Sequence, residues 1–178
     1  TCAQHFRNEG YGVNYISPLN EPNGEWHSNS FQEGTFATKA DIFRMVKELD
    51  KAIEDEKLNT KIIIPEIGEM KYLFEIDKNE RVPDDIIHSM FYENGKYSVL
   101  DMKNLYNCVA AHDYWTAYPA ELLVDMRNRV HDAISQNGHD TKFWASEYCI
   151  LEKNEEITMP SSPTKSINLG LYTARIIH

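Results

Sequence analysis

Two hydrophobic periods alternate along this chain, one helical and one extended. Ile42, Val46, Leu49 and Ile53 recur at helical spacing behind Thr38 and Asp41, a capping-box pair that marks a helix start. The stretch TKIIIPEIGE then carries three consecutive isoleucines, the near-continuous apolar run of a strand covered on both faces in a parallel sheet. The same succession occurs on either side. Residues 2 to 8 read as the end of a helix closed by Gly10, and GVNYIS after it is a short strand of aromatic and β-branched residues. A helical stretch is expected around Asp84 to Phe91, followed by the buried strand NCVAAHDYW. Pro119 opens another helix, with Leu122, Met126, Val130 and Ile134 on one face and Gly138 beyond its end. TKFWASEYCIL supplies the last strand, and SINLGLYTARII, after Pro160 and Pro163, a last helix.

Strands alternating with helices point to parallel βαβ units, so the fold class is α/β. Each apolar strand runs into a carboxylate or an imidazole: Glu21, Glu66, His112 and Glu147 mark the four ends at a fairly even pitch. No glycine-rich phosphate loop follows any of them, which favours a TIM (β/α)8 barrel over a nucleotide-binding sheet. In such a barrel the chemistry gathers at the C-terminal ends of the strands. Pro18 and Pro22 would stiffen the turn that holds Glu21 at that mouth.

Composition narrows the partners. With 178 residues, 42% hydrophobic and 26% charged, the chain has the make-up of globular protein. A net charge of −10 repels phosphate backbones and anionic lipid, which argues against nucleic acid as a partner. No apolar run approaches the roughly 20 residues of a membrane span, and TCAQHFRNEG lacks the layout of a secretory signal. Cys2, Cys108 and Cys149 are too scattered for a disulfide framework or a zinc site and read as free thiols. No cluster has metal-ligand spacing, so no metal and no cofactor is implied.

Four strings in order carry a family resemblance: ISPLNEPN, QEG at 32 to 34, AHDYW at 111 to 115 and WASEYC at 144 to 149. Together they resemble glycoside hydrolase family 30 of clan A, nearest to its endo-β-1,6-galactanase-like branch. The resemblance implies a retaining glycosidase whose acid/base follows strand four and whose nucleophile follows strand seven. On the matching positions Glu21 would be the acid/base and Glu147 the nucleophile. Asn20 would bond the sugar 2-hydroxyl, and His112 with Tyr114 would match the strand-six pattern in which the tyrosine supports the nucleophile. Trp26 and Trp115 could offer flat faces to sugar rings. The implied substrate is an oligo- or polysaccharide with β linkages, β-1,6-galactan among them. Other clan A specificities (xylanase, glucosidase, fucosidase) and a non-catalytic carbohydrate-binding barrel stay open, as do endo or exo action and the sugar itself.

Other residues carry blander readings. Glu66 precedes Glu69 and Lys71, so a salt bridge or a solvated loop is expected of it before substrate contact. Trp144, beside Phe143, is expected in the core rather than under a sugar, whereas Trp26 sits in a loop with little core to offer it. A full barrel has eight strands in about 250 residues, and four are legible here. The chain is therefore expected to be a fragment of a single catalytic barrel domain covering residues 1–178, about strands four to seven, without the rest of the barrel and the family's side β-domain. Secretion or a periplasmic location is implied by the resemblance alone.

Overall fold

A computed structural model describes residues 2–24, 26, 34–76, 82–116 and 119–148; the expected C-terminal helix and Cys149 lie outside these. The elements follow in the order α1 (Cys2–Asn8), β1 (Tyr15–Ile16), α2 (Lys39–Asp55), β2 (Lys61–Ile67), a 3-10 turn (Met70–Leu73), α3 (Ile86–Met90), β3 (Leu105–Asp113), α4 (Ala120–Ser135) and β4 (Lys142–Tyr148). The strands form one parallel sheet in the order β1-β2-β3-β4, so each crossover returns to the neighbouring position. That unbroken order is how a barrel wall is built. The fold is an α/β partial barrel.

The capping box forms as expected, the Thr38 side chain accepting from the Asp41 N–H while the Asp41 carboxylate accepts from the Thr38 N–H. From that start α2 buries Ile42, Val46 and Ile53 against the sheet residues Ile62 and Ile64. Val109 of β3 and Val130 and Ile134 of α4 extend the same core. On α4 the fully covered leucine is Leu123, one position beyond the expected Leu122, and Pro119 takes the N-cap position rather than the first helical one. The helix expected around Asp84 to Phe91 contracts to Ile86–Met90, entered from Asp85 at φ +44°. β1 is only two residues long. Pro18, having no N–H, cannot continue the ladder, and pairing with β2 resumes where the Glu21 N–H donates to the Glu66 carbonyl at 2.9 Å.

Side chains on the sheet face away from the helices include Tyr15, Tyr106 and Trp144, which meet edge to face or tilted with ring centroids 5.1 to 5.3 Å apart. Trp144 is only half-buried on this face and lies outside the hydrophobic core, contrary to expectation, whereas its neighbour Phe143 packs against that core on the other face. At the strand ends, Asp113 is fully buried and receives hydrogen bonds from Thr116 and from Arg127 of α4, clamping the end of β3 to the following helix.

Two substitutions test these supports by chemical denaturation of the full-length protein. Thr38→Ala removes the cap of α2 and is expected to cost about 1 kcal/mol. Arg127→Met leaves the Asp113 carboxylate buried without its cation and is expected to cost about 3 kcal/mol; a loss no larger than that of Thr38→Ala would show that the clamp contributes little.

Candidate active site

Two register slips shape the C-terminal rim of the sheet. Between β2 and β3, Pro65 pairs with Ala110 and Ile67 with Ala111, so Glu66 is one residue too many. Between β3 and β4, Ala111 pairs with Ala145 and His112 with Glu147, leaving Ser146 extra. Bulges of this kind re-aim side chains at barrel rims. Here the two bulged residues meet, the Ser146 hydroxyl donating to Glu66 Oε2 and lying 3.3 Å from the Ala111 carbonyl.

The backbone is left-handed at three non-glycine rim residues: Glu21 at φ +46°, Glu66 at +54° and Trp115 at +60°. Each such residue costs on the order of 1 kcal/mol or more, and such strain tends to collect at functional sites. Glu21 is over-determined by its neighbours. Its carbonyl accepts from Gly24 N–H at 2.9 Å and from the Trp26 ring N–H at 2.8 Å. Beneath it the Gly68 N–H donates to Asn23 Oδ1 at 2.8 Å, and a Cβ on Gly68 would lie 3.2 Å from Cγ and Cδ of Glu21. Gly34, the glycine of the QEG string, passes so close to the Trp26 ring that a Cβ would come within 1.9 Å of it. Backbone approach on that scale admits no side chain at Gly34.

His112, only 1% exposed, is the centre of the rim. Its Nδ1 lies 2.9 Å from Glu21 Oε1. On its other side Nε2 is 3.5 Å from Glu147 Oε1 and 3.6 Å from Glu66 Oε2. Glu147 in turn accepts from the Tyr114 hydroxyl at 2.5 Å through its other oxygen, Oε2. Burial by itself would lower the affinity of the imidazole for a proton, but its bonds to Glu66 and Glu21 and the charges of Glu147 and Glu21 outweigh that, so the His112 pKa is raised. Burial and the nearby Glu66 charge push the Cys108 thiol up to about 12, which leaves it an inert core group.

Glu21, His112, Tyr114 and Glu147 are thus gathered into one contact network, although they come from three separate parts of the chain. Asn20, next to Glu21, is partly buried, and its carbonyl accepts from Thr35 N–H at 3.0 Å. Trp26 ties back to the Glu21 carbonyl, and Trp115 stands 51% exposed just past the end of β3. Glu66 departs from expectation. Lys71 pairs with Glu69 at 2.5 Å, and Glu66 instead turns inward, 8% exposed, onto Ser146 and His112. A signal was present in the sequence, because a carboxylate placed directly after a run of buried isoleucines needs a partner. Among the described residues no cluster of histidine, cysteine and carboxylate side chains could hold a metal ion, and no helix is long and apolar enough to cross a membrane.

Protonated His112 is favoured in the folded state, so its stabilising contribution is complete below the ordinary value of 6.5 and is lost as pH rises through the higher folded value. Thermal unfolding across that range should show wild type and His112→Gln converging as pH rises; a constant gap would contradict the charged-imidazole account.

Comparison with known proteins agrees with the fold. The crystal structure of a conserved exported protein from Bacteroides fragilis superposes with a TM-score of 0.94 at 74% sequence identity, over 99% of this chain. This chain spans 36% of that protein's length. No match was found among curated proteins. The sequence pattern of O-glycosyl hydrolase family 30 matches residues 1–178, and the chain belongs to that family.

Proposed function

We propose that the full-length protein is a retaining glycoside hydrolase that cleaves β-linked glycans by double displacement, with Glu21 as acid/base and Glu147 as nucleophile. The observation that supports this reading is that the two carboxylates approach the two nitrogens of one imidazole, Glu21 Oε1 at 2.9 Å from Nδ1 and Glu147 Oε1 at 3.5 Å from Nε2. Retention requires two carboxyls about 5 Å apart, close enough for one to attack directly while the other handles the proton. In the first step Glu147 Oε1 bonds to the anomeric carbon as the glycosidic bond breaks, and Glu21 gives its proton to the departing oxygen. In the second, Glu21 takes a proton from water, the water oxygen bonds to the anomeric carbon, and Glu147 leaves as a carboxylate. The Tyr114 hydroxyl on Oε2 orients Glu147 and leaves Oε1 for attack.

Asn20 is assigned to the sugar 2-hydroxyl, and Trp115 to a sugar face, its exposure suiting a stacking platform. In this reading Trp26 acts mainly through the Glu21 backbone that its ring N–H holds. The residues present form part of a single catalytic barrel, whose remaining strands would pair with the outer edges of β1 and β4. A site of action outside the cytoplasm is supported by the exported nature of the similar Bacteroides fragilis protein. β-1,6-galactan is the favoured substrate on the resemblance of ISPLNEPN, QEG, AHDYW and WASEYC together to that branch of the family.

A panel of β-linked glycans assayed with the full-length protein tests this. Glu21→Gln and Glu147→Gln should each lower kcat/KM by about 10² or more, the scale of general acid–base catalysis. An aryl glycoside with a good leaving group needs no proton, so it should restore bond cleavage in Glu21→Gln and not in Glu147→Gln. Unchanged hydrolysis in both variants would refute the assignment, and glycan binding without turnover by wild type would indicate a non-catalytic barrel.

A further inference from the structure

Three carboxylates, not two, surround His112, and glycosidic chemistry uses only a pair. Glu66 is the third. It is buried, lies on a left-handed bulge, receives the Ser146 hydroxyl, and faces the same ring nitrogen as Glu147. Strain and burial of this kind persist only where the surroundings hold them. We propose that Glu66 is a positioning residue that fixes the tautomer of His112, keeping the ring proton on Nε2 so that Nδ1 exchanges a proton with Glu21. The inference rests on the assignment of Glu21 as the acid/base.

The argument follows from the ring's two faces. Nε2 has carboxylate oxygens at 3.5 and 3.6 Å, from Glu147 and Glu66, and neither can donate while ionised. While Glu21 is protonated its hydroxyl donates to Nδ1 at 2.9 Å, so the neutral imidazole keeps its hydrogen on Nε2, toward these two oxygens, neither of which is within hydrogen-bonding distance. Two arrangements then hold the same number of protons: imidazolium with ionised Glu21, or neutral imidazole with protonated Glu21. One proton moving from Nδ1 to Oε1 interconverts them, with no other reactant. When Glu21 has given its proton to the leaving group, its ionised oxygen competes for the ring hydrogen, and the Glu66 carboxylate beside Nε2 opposes that shift and leaves Nδ1 open for the return. Glu147 cannot perform this anchoring throughout the cycle, because its charge is lost while it carries the sugar. Glu66 takes part in neither step, and the Ser146 hydrogen bond holds its carboxylate 3.6 Å from Nε2.

The groups facing the ring are Glu21 from the loop after β1, Glu66 from β2, Glu147 from β4 and Tyr114 just beyond the end of β3, whose ring centroid is 5.2 Å from that of His112. Burial tends to discharge the ring, and the three carboxylates oppose it. Of the three, Glu66 alone has no step in the displacement. Its removal should therefore alter the proton inventory without removing a reacting group.

The test compares full-length wild type with Glu66→Gln and Glu66→Asp by two readouts. Nitrogen NMR of labelled histidine, with His112→Gln marking the resonance, reports the tautomer and the titration midpoint of the ring. The pH dependence of kcat on the hydrolysed glycan reports the effect on catalysis. In Glu66→Gln the midpoint should move to lower pH and the Nε2–H preference should weaken, and kcat should fall by at least tenfold, a part of the roughly 10²–10⁴ that proton transfer supplies. KM should change little. Glu66→Asp, which keeps the charge but draws it back, should fall between the two and decides the matter if the glutamine variant does not fold. An unchanged midpoint and tautomer would overturn the proposal, as would a loss of kcat without any change in the ring. The NMR readout does not need turnover, so wild type that hydrolyses no glycan would refute the hydrolase reading while the Glu66–His112 coupling is still decided by the titration.

Discussion

A nearly inaccessible imidazole with acidic oxygens on both of its nitrogens is the constraint on which the rim of this sheet is arranged. Burying His112 without partners would cost several kcal/mol or force it to discharge. Each carboxylate that approaches it relieves that cost and is itself brought out of water by doing so. The cluster is favourable only when complete, and its members come from a loop, β2, β3 and β4. Placing them within contact of one ring requires the parallel order of the strands, which sets neighbouring strand ends side by side. Fold and site are thus joined through one residue.

The local irregularities follow from the same demand. A regular β2 would carry Glu66 to the helix-covered face, with Ile62 and Ile64, where a carboxylate could find no partner. One extra residue and a left-handed backbone turn it to the other face, and a second extra residue at Ser146 supplies the hydroxyl that meets it. Glu21 is treated similarly by Gly24, Trp26 and the space left at Gly68. These distortions are held from behind. The isoleucine-rich face of β2 is locked against α2, and the Arg127–Asp113 contact ties the end of β3 to α4. A rigid layer beneath a strained rim keeps reacting groups in place without rearrangement during the reaction.

Much of this was legible in the chain. Helical spacing from Ile42 to Ile53, the capping box and the isoleucine run located α2 and β2, because those signals arise from local sterics and burial. The HDY and SEY strings placed His112, Tyr114 and Glu147 on adjacent strand ends, since a period of two and a parallel order suffice to predict that. Glu66 was read as a solvated or salt-bridged group, because a bulge and a left-handed backbone leave no mark in hydrophobic periodicity. The true salt bridge, Lys71 with Glu69, stood next to it and supplied a plausible partner that it does not use. The brevity of β1 was also hidden, although Pro18 explains it once the register is known.

In the proposed double displacement, the separation of Glu21 and Glu147 sets the stereochemical course. Proton NMR of a β-linked glycan during its first minutes of hydrolysis by the full-length protein reads that course, before the released sugar mutarotates. Carboxylates about 5 Å apart act by direct attack, and the first product should carry the β configuration of the substrate. Appearance of the α anomer first would mean that a water fits between the two groups, and it would contradict the assignment of Glu147 as a nucleophile.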